Sequence, residues 1–440
     1  MLDFRIVDRR RVLLISYLFP PAGGVGVHRA LAYARYLPES GAEVWVLAAR
    51  NPSTPIMDPA LVADIPPATR MYRVFTPELP YAFRDWLWRR LRGPSGARTP
   101  VPTHPAAMPG LVARTLRRLA TPDPQVVWRP FAVRRACSLI KDHGIGTVLV
   151  TVPPFSALGI GIELKRRFPS LYLISDFRDE WLNFYLNLEP ADRSTLREDA
   201  IWRERAAVEA SDLVVAVTPA QCADIARRYP DQPPTKFLCV PNGYDPAVFA
   251  DFHARPHATD RIVVGFFGTV YRYNSPVPFL DAVDRLPREL AARFETRFYG
   301  RVADGQESRL LENRVSTVKI EGFLAYREAL LHLEEADFLL LPVDSPTAHA
   351  GKLFDYLATG KPILAPTPPD GEIARILWET GAGWSADPSS PEKLTKMILG
   401  ALDAVREGRF APVREAVQVY ARPRLVRRLA EAASIVAPEC

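Results

Sequence analysis

An α/β chain with two doubly wound parallel sheets is predicted by three features of the sequence. Short, continuously apolar runs alternate with amphipathic segments from residue 12 onward, the series restarts after residue 260, and a glycine-rich turn follows the first run. Runs apolar at every position fit strands buried on both faces, as parallel strands are. In the first half these runs fall at 12–17, 44–48, 147–152, 171–175, 213–217 and 237–240, with helical segments at 27–37, 156–168 and 196–209. A turn-rich linker, Pro241-Asn242-Gly243-Tyr244-Asp245-Pro246, and a polar stretch at 251–260 interrupt the pattern. Further strands are expected at 262–267, 295–299, 338–341 and 362–365, again with helices between them. The segment 412–435 reads as one arginine-rich helix packed back across the domain junction. No internal repeat is visible.

Length and composition agree with that reading. A chain of 440 residues suits two or three domains, and 48% hydrophobic with 24% charged residues is the balance of a soluble globular protein. That composition argues against global disorder, a collagen-like fibre and an integral membrane bundle, and no apolar run reaches the roughly 18 residues of a spanning helix. Arg9, Arg10 and Arg11 before the first apolar run imitate a secretory leader. The run is short, meets Pro20-Pro21 and lacks a cleavage site, so a buried first strand is the reading taken. Cys137, Cys222, Cys239 and Cys440 lie far apart, which fits a cytoplasmic chain and offers no zinc site. His253 and His257 are four apart but lie in a loop without the context of a metal motif.

Charge is unevenly spread. Residues 1–150 carry 21 basic and 10 acidic side chains, while the remainder is net acidic. The excess peaks at 84–135, where eleven arginines face only Asp85 and Asp123, and this points to an anionic partner. Residues 76–125 hold nine prolines and little strand character. Within them Phe83, Trp86, Leu87 and Leu91 share one helical face, and Val112, Leu116 and Leu119 another, with arginines beside both. Two readings stay open: a helix lying in a membrane interface, giving peripheral contact through 83–135, or a helix packed on its own domain with a solvated basic face. Nucleic-acid binding is not expected, since no recognised module accompanies the arginines.

Three stretches carry candidate chemistry. Gly23, Gly24 and Gly26 sit in a turn that opens a helix, where free N–H groups and the helix dipole suit a phosphate. Arg29 stands where a dinucleotide fingerprint has its third glycine, and the second strand ends in Ala48-Ala49-Arg50 without a ribose-binding acid, so a nicotinamide dehydrogenase is not indicated. At the end of the strand 171–175 stands DFRDEW; Asp176, Arg178 and Asp179 could orient sugar hydroxyls or position a nucleophile, or could form a capping Asp–Arg pair. The third stretch, Thr347 to Ala365, is a glycine-led loop entering a helix. There Lys352 and the amides of Gly351, Lys352, Leu353 and Phe354 can hold a diphosphate, and Asp355 can accept hydrogen bonds from both ribose hydroxyls. Only eight of the 56 basic residues are lysines, which singles out Lys352.

Taken together, PPAGGVG, DFRDEW, VPNGYDPAVF and GKLFDYLATGKPILA with Pro369-Asp370-Gly371-Glu372 resemble the retaining family-4 glycosyltransferases of the GT-B fold, in the expected order along nearly the whole chain. The resemblance implies an acceptor-binding Rossmann-like domain at 1–245, a nucleotide-sugar domain at 246–411 facing it across a cleft, and a crossing C-terminal helix at 412–440. It implies a loop Gly268-Thr269-Val270-Tyr271-Arg272 with Arg272 on the donor phosphates, and Asp355 on the ribose. Two departures stand out: Thr347 occupies the position of a frequent glutamate, and Tyr273 follows Arg272 where lysine is common. His349 is a substitute sugar contact, counted with Asp176, Arg178 and Asp179 among the catalytic candidates. No strict DxD occurs, so no metal and no other cofactor is expected. The implied reaction is transfer from a nucleotide sugar to a lipid-linked or polysaccharide acceptor in cell-envelope or exopolysaccharide synthesis. A nucleotide-sugar 2-epimerase and a non-catalytic binding subunit of the same fold are the alternatives.

Overall fold

The computed structural model describes residues 8–54, 56–81, 83, 86, 121–184, 190–253, 255, 260–271, 274–303, 306–324, 326–345 and 350–436. They form two compact units. Of the described residues, the first holds those from Asp8 to Pro241 and 425–436, and the second those from 242 to 424.

The first unit is built on a seven-stranded, all-parallel sheet ordered β3-β2-β1-β4-β5-β6-β7. Its strands are β1 (Asp8–Ile15), β2 (Glu43–Ala49), β3 (Arg70–Val74), β4 (Ile145–Val152), β5 (Tyr172–Phe177), β6 (Leu213–Ala216) and β7 (Phe237–Cys239). Strand order reverses between β1 and β4, the switch point outside which doubly wound sheets bind ligands. Alternate residues feed two cores. Leu13 and Ile15 pack with Val148, Val150 and helices Arg129–His143 and Leu158–Arg167; Val12 and Leu14 pack with helix Val25–Tyr36 and with Leu425, Val426 and Leu429. Burial on both faces explains the uninterrupted apolar runs. At about 1.5–3 kcal/mol per large apolar side chain, these layers hold the register. β1 begins at Asp8, so the three arginines of the leader-like motif lie within the strand.

The second unit repeats the plan with six parallel strands ordered β10-β9-β8-β11-β12-β13. They are β8 (Ile262–Phe267), β9 (Phe294–Tyr299), β10 (Thr317–Gly322), β11 (Phe338–Leu340), β12 (Ile363–Pro366) and β13 (Gly383–Ala386). The switch point lies between β8 and β11, beside helix Gly351–Thr359. The single helix expected at 412–435 is two, Arg414–Gln418 and Arg422–Ala432. The chain breaks between them because Tyr244 N–H donates to the Tyr420 carbonyl at 3.1 Å and Arg422 N–H donates to the Tyr244 carbonyl at 2.8 Å, a bridge that an unbroken helix would forbid. Among the described residues, no helix is long and apolar enough to cross a membrane.

Candidate functional site

Each unit presents candidate residues at the carboxyl ends of its own strands. In the first unit the glycine turn leaves β1 and enters helix Val25–Tyr36. Gly24 has φ of 97°, a conformation that L side chains rarely adopt. A Cβ on Gly23 would lie 2.8 Å from Ile56 Cγ2, and one on Gly26 would lie 1.6 Å from Arg178 Nη1. Gly26 thus leaves room for the Arg178 guanidinium against the backbone, Gly23 leaves room for Ile56, and Gly24 takes up the left-handed conformation.

That guanidinium is held from the other side of the switch point. Arg178 donates through Nε to the Val152 carbonyl at 3.2 Å and through Nη2 to the Pro153 carbonyl at 2.6 Å. Burial lowers its pKa. Asp176, on β5, has no exposed surface and accepts from Arg29 Nη2 at 2.7 Å and Arg29 Nε at 2.9 Å, a two-pronged pair. Arg29 Nη1 also reaches the Pro241 carbonyl at 3.0 Å. Burial alone would lower the Arg29 pKa; Asp176 more than offsets that and raises it. Asp176 is thus enclosed and engaged by a residue of a different helix, neither open to a substrate nor capping the helix that follows it. Asp179 is the exposed carboxylate of the cluster.

In the second unit, β8 ends at Phe267 and turns through Gly268, whose φ of 117° again favours glycine. Gly268 N–H donates to the Tyr299 carbonyl at 2.9 Å, and the half-buried Thr269 offers its carbonyl to Asn274 Nδ2 at 2.9 Å. Helix Gly351–Thr359 starts alongside, its N-cap Ala350 giving no side-chain hydrogen bond to the first turn. Gly351 is half-buried at that start. Leu353 and Phe354 point into the core, and Leu353 N–H is bonded to the Ala350 carbonyl at 2.9 Å. Their side chains therefore anchor the helix and do not face a ligand.

Lys352 is different. Its Nζ is buried, has no hydrogen-bond partner among the described residues, and lies 3.8 Å from the centroid of the Phe266 ring. A Cβ on Gly268 would stand 3.6 Å from it. Burial pulls its pKa down to about 7. One turn on, Asp355 has its pKa pushed up to about 6 by burial, which Arg422 and a hydrogen bond with the Tyr326 hydroxyl partly counter. Tyr356 anchors the same turn, its hydroxyl accepting from Phe267 N–H at 2.8 Å. A buried amine without a partner, between a glycine corner and an uncapped helix start, is an anion receptor in physical terms.

Arg272, Thr347 and His349 lie outside the described residues. In the sequence Arg29 stands out only as a departure from a fingerprint, and no motif marks Tyr326 or Arg422. An arginine on the otherwise apolar face of helix Val25–Tyr36, among Ala30, Tyr33 and Ala34, was the available signal for the first. Among the described residues, no three His, Cys, Asp or Glu side chains are grouped to hold a metal ion.

No family model matches the chain. A curated relative, a probable glycosyltransferase WbjE of Pseudomonas aeruginosa, is 30% identical over 152 residues, which are 34% of this chain and 38% of the relative. The match thus spans well under half of that relative's length. Among solved structures, HepE of Anabaena in complex with UDP superposes with a TM-score of 0.58 at 15% identity, covering 96% of this chain and 99% of that one. A sucrose-phosphate synthase of Thermosynechococcus elongatus gives 0.62 at 15% identity, covering 96% and 98%. These likenesses establish the fold, two Rossmann-like domains of the GT-B type.

Proposed function

We propose that this protein is a glycosyltransferase that moves a sugar from a nucleotide donor to a lipid-linked saccharide or polysaccharide acceptor, with retention and without a metal, in cell-envelope or exopolysaccharide synthesis at the cytoplasmic face of the membrane. The observation that carries the reading is the buried amine of Lys352, which has no hydrogen-bond partner among the described residues and lies beside Gly268 at the start of helix Gly351–Thr359. A donor diphosphate would supply the missing charge, with Arg272 as its second cation. Asp355, ionised at neutral pH and bonded by Tyr326, retains acceptor capacity for ribose hydroxyls.

In the proposed step the acceptor hydroxyl attacks the anomeric carbon on the side from which the diphosphate departs. The bond between that carbon and the phosphate oxygen breaks, the new glycosidic bond forms, and a leaving phosphate oxygen takes the hydroxyl proton. Lys352, Arg272 and the first-turn amides stabilise the charge that accumulates on the diphosphate. Asp179 is the carboxylate we assign to the acceptor, His349 a sugar contact, and Asp176 and Arg178 position the loops.

The support from relatives is a short similarity to a probable glycosyltransferase and a fold shared with a protein crystallised with UDP and with UDP-glucose. A thermal-shift panel of UDP, dTDP, GDP, ADP and CMP against wild type and Asp355→Ala tests it. Ligand at 100 times its dissociation constant adds about 2.7 kcal/mol to the folded state, a readily seen shift. A shift with one nucleotide is expected, and a much smaller one in the variant, whose affinity for that nucleotide falls about tenfold to a hundredfold. A flat response to all five would overturn the donor assignment. Turnover of the sugar without acceptor would instead indicate an epimerase, and loss of activity in chelator with recovery on manganese would overturn the metal-free step.

A further inference from the structure

Exposed aromatic and aliphatic side chains are concentrated on one part of the first unit. Phe75 and Leu79 follow β3 and are each 53% exposed; Phe83 is 47% and Trp86 50% exposed, their rings 5.5 Å apart. Val127 and Phe131, four residues apart and so on one face of the chain there, are exposed as well. Hydrogen bonds tie these pieces into one region. Gln125 Nε2 donates to Glu78 Oε2 at 2.9 Å, and Glu78 Oε1 accepts from the hydroxyls of Tyr17 at 2.6 Å and Thr76 at 2.9 Å. Arg135 of helix Arg129–His143 lies 4.6 Å above the ring of Tyr72 on β3. Four exposed large apolar residues within twelve positions are more than the scattered singles of an ordinary surface.

Among the described residues, the exposed charge beside Phe131 is basic. Phe131 shares its helix face with the exposed Arg134 and Arg135, one turn on. The carboxylates nearby are spent internally: Glu78 on the three partners' network above, and Asp123 on Ser156, whose N–H and Oγ donate to it at 2.9 and 2.5 Å. Of the two acids among the eleven arginines of residues 84–135, then, Asp123 contributes nothing to the surface.

We propose that this face, Phe75, Leu79, Phe83, Trp86 and Phe131 with Arg134 and Arg135, docks on an anionic lipid leaflet, the apolar side chains entering the acyl boundary and the guanidiniums binding headgroup phosphates. A purely apolar protein partner would not call for arginines whose neighbouring acids are withdrawn, and a nucleic acid would not call for protruding aliphatic side chains. The inference sharpens the reading of a lipid-linked acceptor, but its test is independent of the donor site.

The experiment is co-sedimentation of the full chain with vesicles of phosphatidylcholine alone and of phosphatidylcholine mixed with phosphatidylglycerol, with and without added salt. Wild type, Phe83→Ser with Trp86→Ser, and Arg134→Glu with Arg135→Glu are compared, and melting curves and nucleotide binding confirm that each is folded. Binding to the mixed vesicles only, weakened by salt and reduced about tenfold or more in both variants, is the expected result. No sedimentation with either vesicle overturns the proposal while leaving nucleotide binding untouched. Equal binding to neutral vesicles overturns the electrostatic part. A concentration-dependent dimer abolished by the Phe83/Trp86 variant would show that a second copy covers the face, and would overturn it too.

Discussion

The two glycine corners look alike and are used differently. In the first unit, the guanidiniums beside the glycine turn are committed: Arg29 to Asp176 and the Pro241 carbonyl, Arg178 to the carbonyls of Val152 and Pro153. In the second, Lys352 lies close to Gly268 and the Phe266 ring, its amine without a hydrogen-bond partner among the described residues. An arginine fork satisfied by a carboxylate and carbonyls fixes a backbone. A buried ammonium with no counter-charge is costly in the free protein, and becomes favourable only when an anion arrives. The first arrangement builds a scaffold and the second holds a site in readiness.

The largest test of that contrast is Asp176→Ala. It strands Arg29 as an unpaired buried charge and should cost about 3–5 kcal/mol in urea unfolding. Replacing both partners, Arg29→Met with Asp176→Leu, should recover most of the loss. A stable but inactive Asp176→Ala would break the comparison and make Asp176 a chemical participant.

Lys352→Met should do the reverse. Removing the amine leaves no partner stranded, so the fold should be as stable or more so, while nucleotide affinity drops about tenfold to a hundredfold. The sign with pH follows from its depressed pKa, about 7 when folded against 10.5 when free. The penalty from Lys352 is absent above 10.5, grows as pH falls toward 7, and is constant below that. The stability advantage of Lys352→Met should therefore be greatest below pH 7 and disappear at high pH. A destabilised variant with unchanged affinity would mean that Lys352 is structural.

The smallest effect concerns Asp123, which burial holds at about 6, well above its free value of 3.8, despite its bonds from Ser156. A raised carboxylate pKa gives stability that is complete below 3.8 and is lost as pH rises through about 6. Asp123→Asn should flatten this part of the stability–pH curve. Asp355 titrates in the same window, so some slope will remain. An unchanged curve would show that Asp123 is ionised in the fold at lower pH than its burial suggests.

How much was legible in the sequence depended on burial. The interior strands announced themselves, because a strand covered on both faces must be apolar at every position. β3, β10 and β13 did not. Each is the last strand of its sheet, only partly covered, and carries sequences such as TVKIEG and GWSA that no core dictates. The break at Tyr420 was equally invisible, since its partner, Tyr244, is far away in the chain.

The two parallel sheets, the glycine corners and the residue types gathered around them can be read from the chain's order alone, because periodicity and glycine conformation are local properties. Which charges are spent and which are kept is settled by the folded contacts. Asp176, Arg178 and Lys352 are all conspicuous in the sequence, yet Arg29 reaches Asp176 from 147 positions away, while among the described residues no hydrogen-bond partner reaches the Lys352 amine. Counter-charges are supplied by folding, and a one-dimensional pattern does not record where they arrive.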